Sequence, residues 1–157
     1  MQVNREHLPA FVQVHTGMLL AWEGVEHYLV AIFSALVQGA SSEVRSEAFH
    51  PATTVKTRLT MIDAAAKVFL QDGALDLEWK ALSDRVSAAA GNIGLASLAS
   101  AQNTDAGHGL PREVYDLRQI RRWRKGIRSL VIDLRDFLAR VENAVAIAGA
   151  PPRLSDI

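Results

Sequence analysis

At 157 residues the chain is sized for one domain that buries about 70% of its unfolded surface around a single core. Hydrophobic residues at 49% and charged residues at 22% place it with soluble globular proteins and away from disordered or membrane classes. Basic and acidic side chains balance at 17 each, so attraction to a polyanion must come from a local patch, and the lack of cysteine excludes disulfides, thiolate metal sites and a cysteine nucleophile. The amino terminus, MQVNREHLP, has no apolar segment of signal-peptide length. The longest apolar run, Leu29 to Val37, is interrupted by Ser34 and falls short of the roughly 20 residues of a membrane span. These features predict a soluble cytoplasmic protein with no membrane partner.

A first helix is expected from about Pro9, which the first helical turn tolerates, to about Val37. Phe11, Met18, Trp22, Val25, Leu29, Ile32 and Leu36 trace one face of it at steps of three and four. His15 and Glu26 fall in or beside that face, whereas Glu23 and His27 point away. Gly39 to Ser42 make a break, and residues 42–50 read as a short extra helix stopped by Pro51. Thr53 or Thr54 then offers an N-cap hydroxyl to a second helix with apolar positions Val55, Leu59, Ile62, Ala66 and Phe69, ending near Gln71.

Asp72 and Gly73 signal a turn, after which Asp76 and Glu78 put negative charge in the first turn of a third helix, where the helix dipole favours it. Its core stripe is Trp79, Leu82, Val86, Ala89, Ile93 and Ala96. The 19 residues from Val86 to Thr104 carry no charge at all. On the side opposite the core stand Ser87, Gly91, Gly94, Leu95 and Leu98 where a solvated helix carries Lys or Glu. A helix that is small or apolar all round is normally covered on both sides, so a homodimer through this outer side is expected, unless the loop at 101–111 folds back over it.

After Pro111 a last helix has Ile120, Ile127, Leu130, Leu134, Leu138, Val141 and Val145 on one face and ends near Ala148, before Gly149 and the Pro151-Pro152 pair. With no strand pattern and no repeat, the chain reads as all-α. The expected architecture is a single domain over 1–157, an antiparallel four-helix up-and-down bundle with the short extra helix between helices one and two, and a loose tail from about 150.

Three features bear on chemistry. In the last helix Arg118, Arg121, Arg122, Lys125 and Arg128 gather opposite the apolar stripe, with Trp123 on the flank. Such a face suits a nucleic-acid backbone, or is a solvated face paired in part with acids such as Asp116. A ferritin-like metal site needs Glu-x-x-His on two helices, and only Glu47 and His50 show that spacing, just before Pro51, so no metal or other cofactor is expected. His15 and Glu26, beside a buried face, each need a partner, whether in a polar site between helices or in a purely structural hydrogen bond. There is no nucleophile elbow, phosphate loop or dinucleotide fingerprint.

From Trp22 to Ser97 the layout resembles the HEPN-like superfamily: Trp22 and Glu26 near the middle of helix one, Thr54 to Arg58-Leu59 opening helix two, and Trp79 opening helix three. Many members of that superfamily are metal-independent ribonucleases of toxin–antitoxin and antiviral systems, using an Arg-Asn pair followed a few residues later by His. The matching place here is Ala90 to Ser97, where Asn92 agrees, Gly91 stands for the Arg and Ser97 for the His. Without a cation on the scissile phosphate or an imidazole for proton transfer, the resemblance implies a catalytically silent binding or regulatory module, with RNA or a cognate protein as partner. Two alternatives remain: an active ribonuclease using His15, Glu26 or His108, with Asn92 retained, and a dimeric protein-binding adaptor with no nucleic-acid role.

Overall fold

The computed structural model describes residues 8–37, 54–70, 73–104 and 117–148. Four helices account for nearly all of them: α1 (Leu8–Leu36), α2 (Val55–Phe69), α3 (Gly73–Thr104) and α4 (Leu117–Ala148), with no strand among the described residues. The all-α class and the count of four long helices agree with the sequence reading. The short extra helix at 42–50, the tail from 150, and Glu47, His50 and Asp116 lie outside the described residues.

Each helix buries most of the stripe its spacing marks: Phe11, Trp22, Val55, Phe69, Ile93 and Leu138 are only partly buried against the core, and Phe137, beside Leu138, is fully buried although the expected stripe does not include it. Met18, Val25, Leu29, Ile32 and Leu36 of α1 meet Leu59, Ile62 and Ala66 of α2 in one core. Leu75, Trp79, Leu82, Val86, Ala89 and Ala96 of α3 and Ile120, Ile127, Leu130, Leu134, Phe137, Val141 and Val145 of α4 complete it. The second helix starts at a Thr54 N-cap, whose hydroxyl oxygen accepts from the Thr57 amide at 3.1 Å and satisfies one of the donors a helix start leaves open. Two boundaries differ from expectation. α3 begins at Gly73, so Asp76 is in its first turn and Glu78 in its second, and it continues to Thr104, through the first residues of the expected 101–111 loop.

The directions of the helices follow from pairs a heptad apart. On α3 and α4, Glu78 pairs with Arg140, and Arg85 pairs with Asp133 at 2.7 Å, so these helices run antiparallel. Against α4, however, α1 is parallel. A Cβ built on Gly17 would lie 3.1 Å from the Arg124 guanidinium carbon, and one on Gly24 would lie 3.2 Å from Val131 Cγ2, so both partners advance together. A strict up-and-down bundle sets its first and last helices antiparallel, and that part of the expectation is corrected here. The cause is close packing: α1 and α4 form the most extensive helix pair of the fold, and glycines at 17 and 24 let the two backbones approach along one seam. Interior glycines cost about 1 kcal/mol each in an isolated helix, and here dense packing against α4 offsets it.

The second helix doubles back along α3. Asp63 Oδ1 accepts from the Trp79 indole N–H at 2.6 Å, and these two residues are equally far from the link between the helices. Arg58 reaches Glu26 of α1 at 3.2 Å. With 15 residues against 29 in α1 and 32 in each of α3 and α4, α2 covers only part of the bundle's length. By length and apolar composition α1 also meets the requirement for crossing a membrane, over Pro9–Leu36, although its longest unbroken apolar run is short.

Candidate functional site

The most distinctive chemical surface is the amino-terminal half of α4. Burial of Ile120, Ile127 and Leu130 fixes the rotation of the helix, so Arg118, Arg121, Arg122, Lys125 and Arg128 all come out exposed on the opposite side. Between Leu117 and Ile132 there are six cations and no acid. The sixth, Arg124, is half-buried and lies over Gly17 of α1. Beyond Ile132 the composition changes: Asp133 pairs with Arg85, Asp136 accepts from Arg135 at 2.9 Å, and Arg140 reaches Glu78. Charge is therefore segregated along the helix, balanced in its second half and wholly positive in its first. The five exposed positions span about 15 Å at 1.5 Å per residue.

Asn92 comes to the same end of the molecule. It stands one heptad after Arg85, on the flank of α3 that faces α4, and this brings it level with Gly126 beside the basic half. It is half-buried, whereas Gly91 and Ser97 are exposed. His108 lies outside the described residues.

His15 and Glu26 do not form one site. They are separated by about 16 Å along α1. Glu26 is half-buried and tied to Arg58, which holds α2 on α1. His15 stacks on Phe11 with ring centroids 6.1 Å apart, and its Nε2 is buried with no hydrogen-bond partner. Among the described residues no group of three His, Cys, Asp or Glu side chains is placed to hold a metal ion.

One feature escaped the sequence reading: a cleft of about 370 Å³ between α2 and α3, lined by Asp63, Lys67, Asp76, Trp79, Lys80, Ser83 and Asp84. Two of its three acids are engaged in the fold, Asp63 with the Trp79 indole and Asp76 with Lys80 at 2.6 Å. The available signal was an indole on a core stripe, since a buried Trp N–H needs an acceptor nearby.

On the outer side of α3, Ser87, Gly91, Gly94 and Leu95 are exposed, with Leu95 at 41%. The side chain of Leu98 lies outside the described ones. A Cβ on Gly91 or Gly94 would meet none of the described residues within 4 Å. Unlike Gly17 and Gly24, these glycines are not explained by packing among the described residues. Comparison with protein families, with curated proteins and with solved structures returned no match for this chain, so its likeness to the HEPN-like superfamily stands on residue layout alone.

Proposed function

We propose that this protein is a non-catalytic, HEPN-like module that binds the phosphate backbone of nucleic acid through α4. The observation that carries this reading is the row of five exposed cations in a stretch without a single acid. A solvated helix face needs no such segregation, and the balanced second half of the same helix shows the ordinary pattern. At 3.4 Å of rise per nucleotide, about 15 Å of basic helix spans about four phosphates of one strand. Arginine dominates the row, and its planar fork of donors suits phosphate oxygens. With Gly91 and Ser97 in place of the family's Arg and His, and with Glu26 engaged in a pair remote from His15, the residues favour holding RNA over cleaving it.

Four neutralised phosphates imply a slope in the log of affinity against the log of salt of about −2.8 for a single strand and about −3.6 for duplex DNA, so a fourfold rise in salt should weaken binding about fiftyfold and about a hundredfold respectively. Fluorescence anisotropy with labelled single-stranded RNA and duplex DNA of unrelated sequences measures this. The Arg121→Glu, Arg122→Glu, Lys125→Glu triple variant is expected to lose binding at every salt concentration, with an unchanged helical circular dichroism spectrum. No binding by the wild type at low salt would refute the proposal. RNA incubated with the protein should stay intact. Turnover that survives stringent purification and vanishes in Glu26→Ala or His108→Ala would restore the ribonuclease reading.

A further inference from the structure

Along α1, the positions Val12, Leu19, Glu26 and Phe33 form one line at heptad spacing, and their burial changes steadily along it. Val12 is 52% exposed, Leu19 37%, Glu26 is half-buried against Arg58, and Phe33 is 8% exposed. This is the side on which α2 lies, and the line shows where its cover stops. Across the gap, the side of α3 that faces α2 is marked by Lys80, Ser83 and Asp84 in the shared cleft. One heptad further along α3 the same side presents Ser87, Ala90 and Gly91, and the next presents Gly94 and Ser97. Parallel packing of α1 on α4 and antiparallel packing of α3 on α4 bring the two uncovered stretches level with each other. Among the described residues that half of the bundle is three helices, with a groove between α1 and α3 that lies in line with α2 and is filled by none of them.

We propose that α3 of a second copy occupies this groove, and that the contact is reciprocal across a two-fold axis. Both walls lack charge: no Asp, Glu, Lys or Arg occurs from Leu8 to Trp22 or from Val86 to Thr104. A nucleic acid or a charged helix would find no counter-charge there, so the occupant presents an uncharged face. The outer side of α3 is such a face. Its length also fits, since α2 is 14 residues shorter than α1, which leaves about 21 Å of α1 that α2 does not cover, and the uncharged part of α3 extends about 28 Å. Because α3 is both wall and insert, one symmetric contact covers Leu95, Val12 and Leu19 in both copies. Open space at Gly91 and Gly94 then has a use, letting the second helix approach at backbone distance.

Light scattering after size exclusion at micromolar concentration is expected to give a dimer for the wild type and a monomer for the Gly91→Lys, Gly94→Lys double variant. Since a Cβ at either position meets none of the described residues within 4 Å, the variant is expected to retain its helical spectrum. The chain has no cysteine, so Gly91→Cys alone should form a disulfide-linked dimer on mild oxidation, whereas Ala139→Cys on the exposed side of α4 should not. A monomeric wild type overturns the proposal and leaves the walls to residues 38–53 of the same chain or to a different protein. A dimer that survives both lysines, or equal crosslinking of the two cysteine variants, overturns it as well. None of these outcomes depends on nucleic-acid binding by α4.

Discussion

Replacing Trp79 with alanine is expected to lower stability by about 3–5 kcal/mol, the usual cost of removing a large aromatic from a packed core. Trp79 is 1% exposed and joins three helices. It lies on the core stripe of α3, its ring meets Phe137 of α4 at a centroid distance of 5.8 Å, and its indole N–H donates to Asp63 of α2. For a chain of this size such a loss lowers Tm by about 10 °C. Trp79→Phe separates packing from hydrogen bonding, because it keeps an aromatic ring but leaves Asp63 without its donor, at about 1–2 kcal/mol. Thermal unfolding followed by circular dichroism reads both variants. If Ala and Phe cost the same, the indole bond and not the ring holds α2 in place, and the packing argument is wrong.

Trp79 also illustrates which parts of the fold can be read from residue order. Its burial follows from helical spacing, as does that of Val86, Leu130 and Val141, because a helix in a bundle must hide one stripe whatever its neighbours are. The exposure of Arg118, Arg121, Arg122, Lys125 and Arg128 follows from the same spacing, seen from the other side. Its bond to Asp63 does not, since it joins two helices whose relative rotation no periodicity specifies. Helix direction was hidden for the same reason. Stripes say which face is buried but not against what, and an alternating arrangement is only the simplest way to join four helices. The sign of a close parallel seam was present in Gly17 and Gly24, a heptad apart inside a long helix, where glycine is costly without a nearby backbone. Gly91 and Gly94 show the same anomaly, yet the described residues leave them open. A glycine pair therefore marks a close approach without saying whether the partner belongs to the same chain.

The parallel seam makes its own prediction: Gly24→Leu should cost about 1–3 kcal/mol, the range for overpacking a well-filled interior. A Cβ at residue 24 already lies 3.2 Å from Val131 Cγ2 and 3.4 Å from Val131 Cγ1, and valine's branched side chain has few ways to turn aside. The outer atoms of leucine must then push the two helices apart. Gly126→Leu is the matched control, because a Cβ there meets none of the described residues within 4 Å, and helix propensity alone should make it stabilising by about 0.8 kcal/mol. The decisive measurement is the double variant Gly24→Leu, Val131→Ala. Val131→Ala vacates the volume that the leucine needs, so the pair should be more stable than the two single losses added together, by about 1 kcal/mol or more, as touching residues are. With Gly17 set against Arg124, antiparallel helices would place residue 24 opposite Leu117, and shortening Val131 would return nothing. Additive losses in urea unfolding would therefore overturn the helix directions from which the half-length groove is drawn.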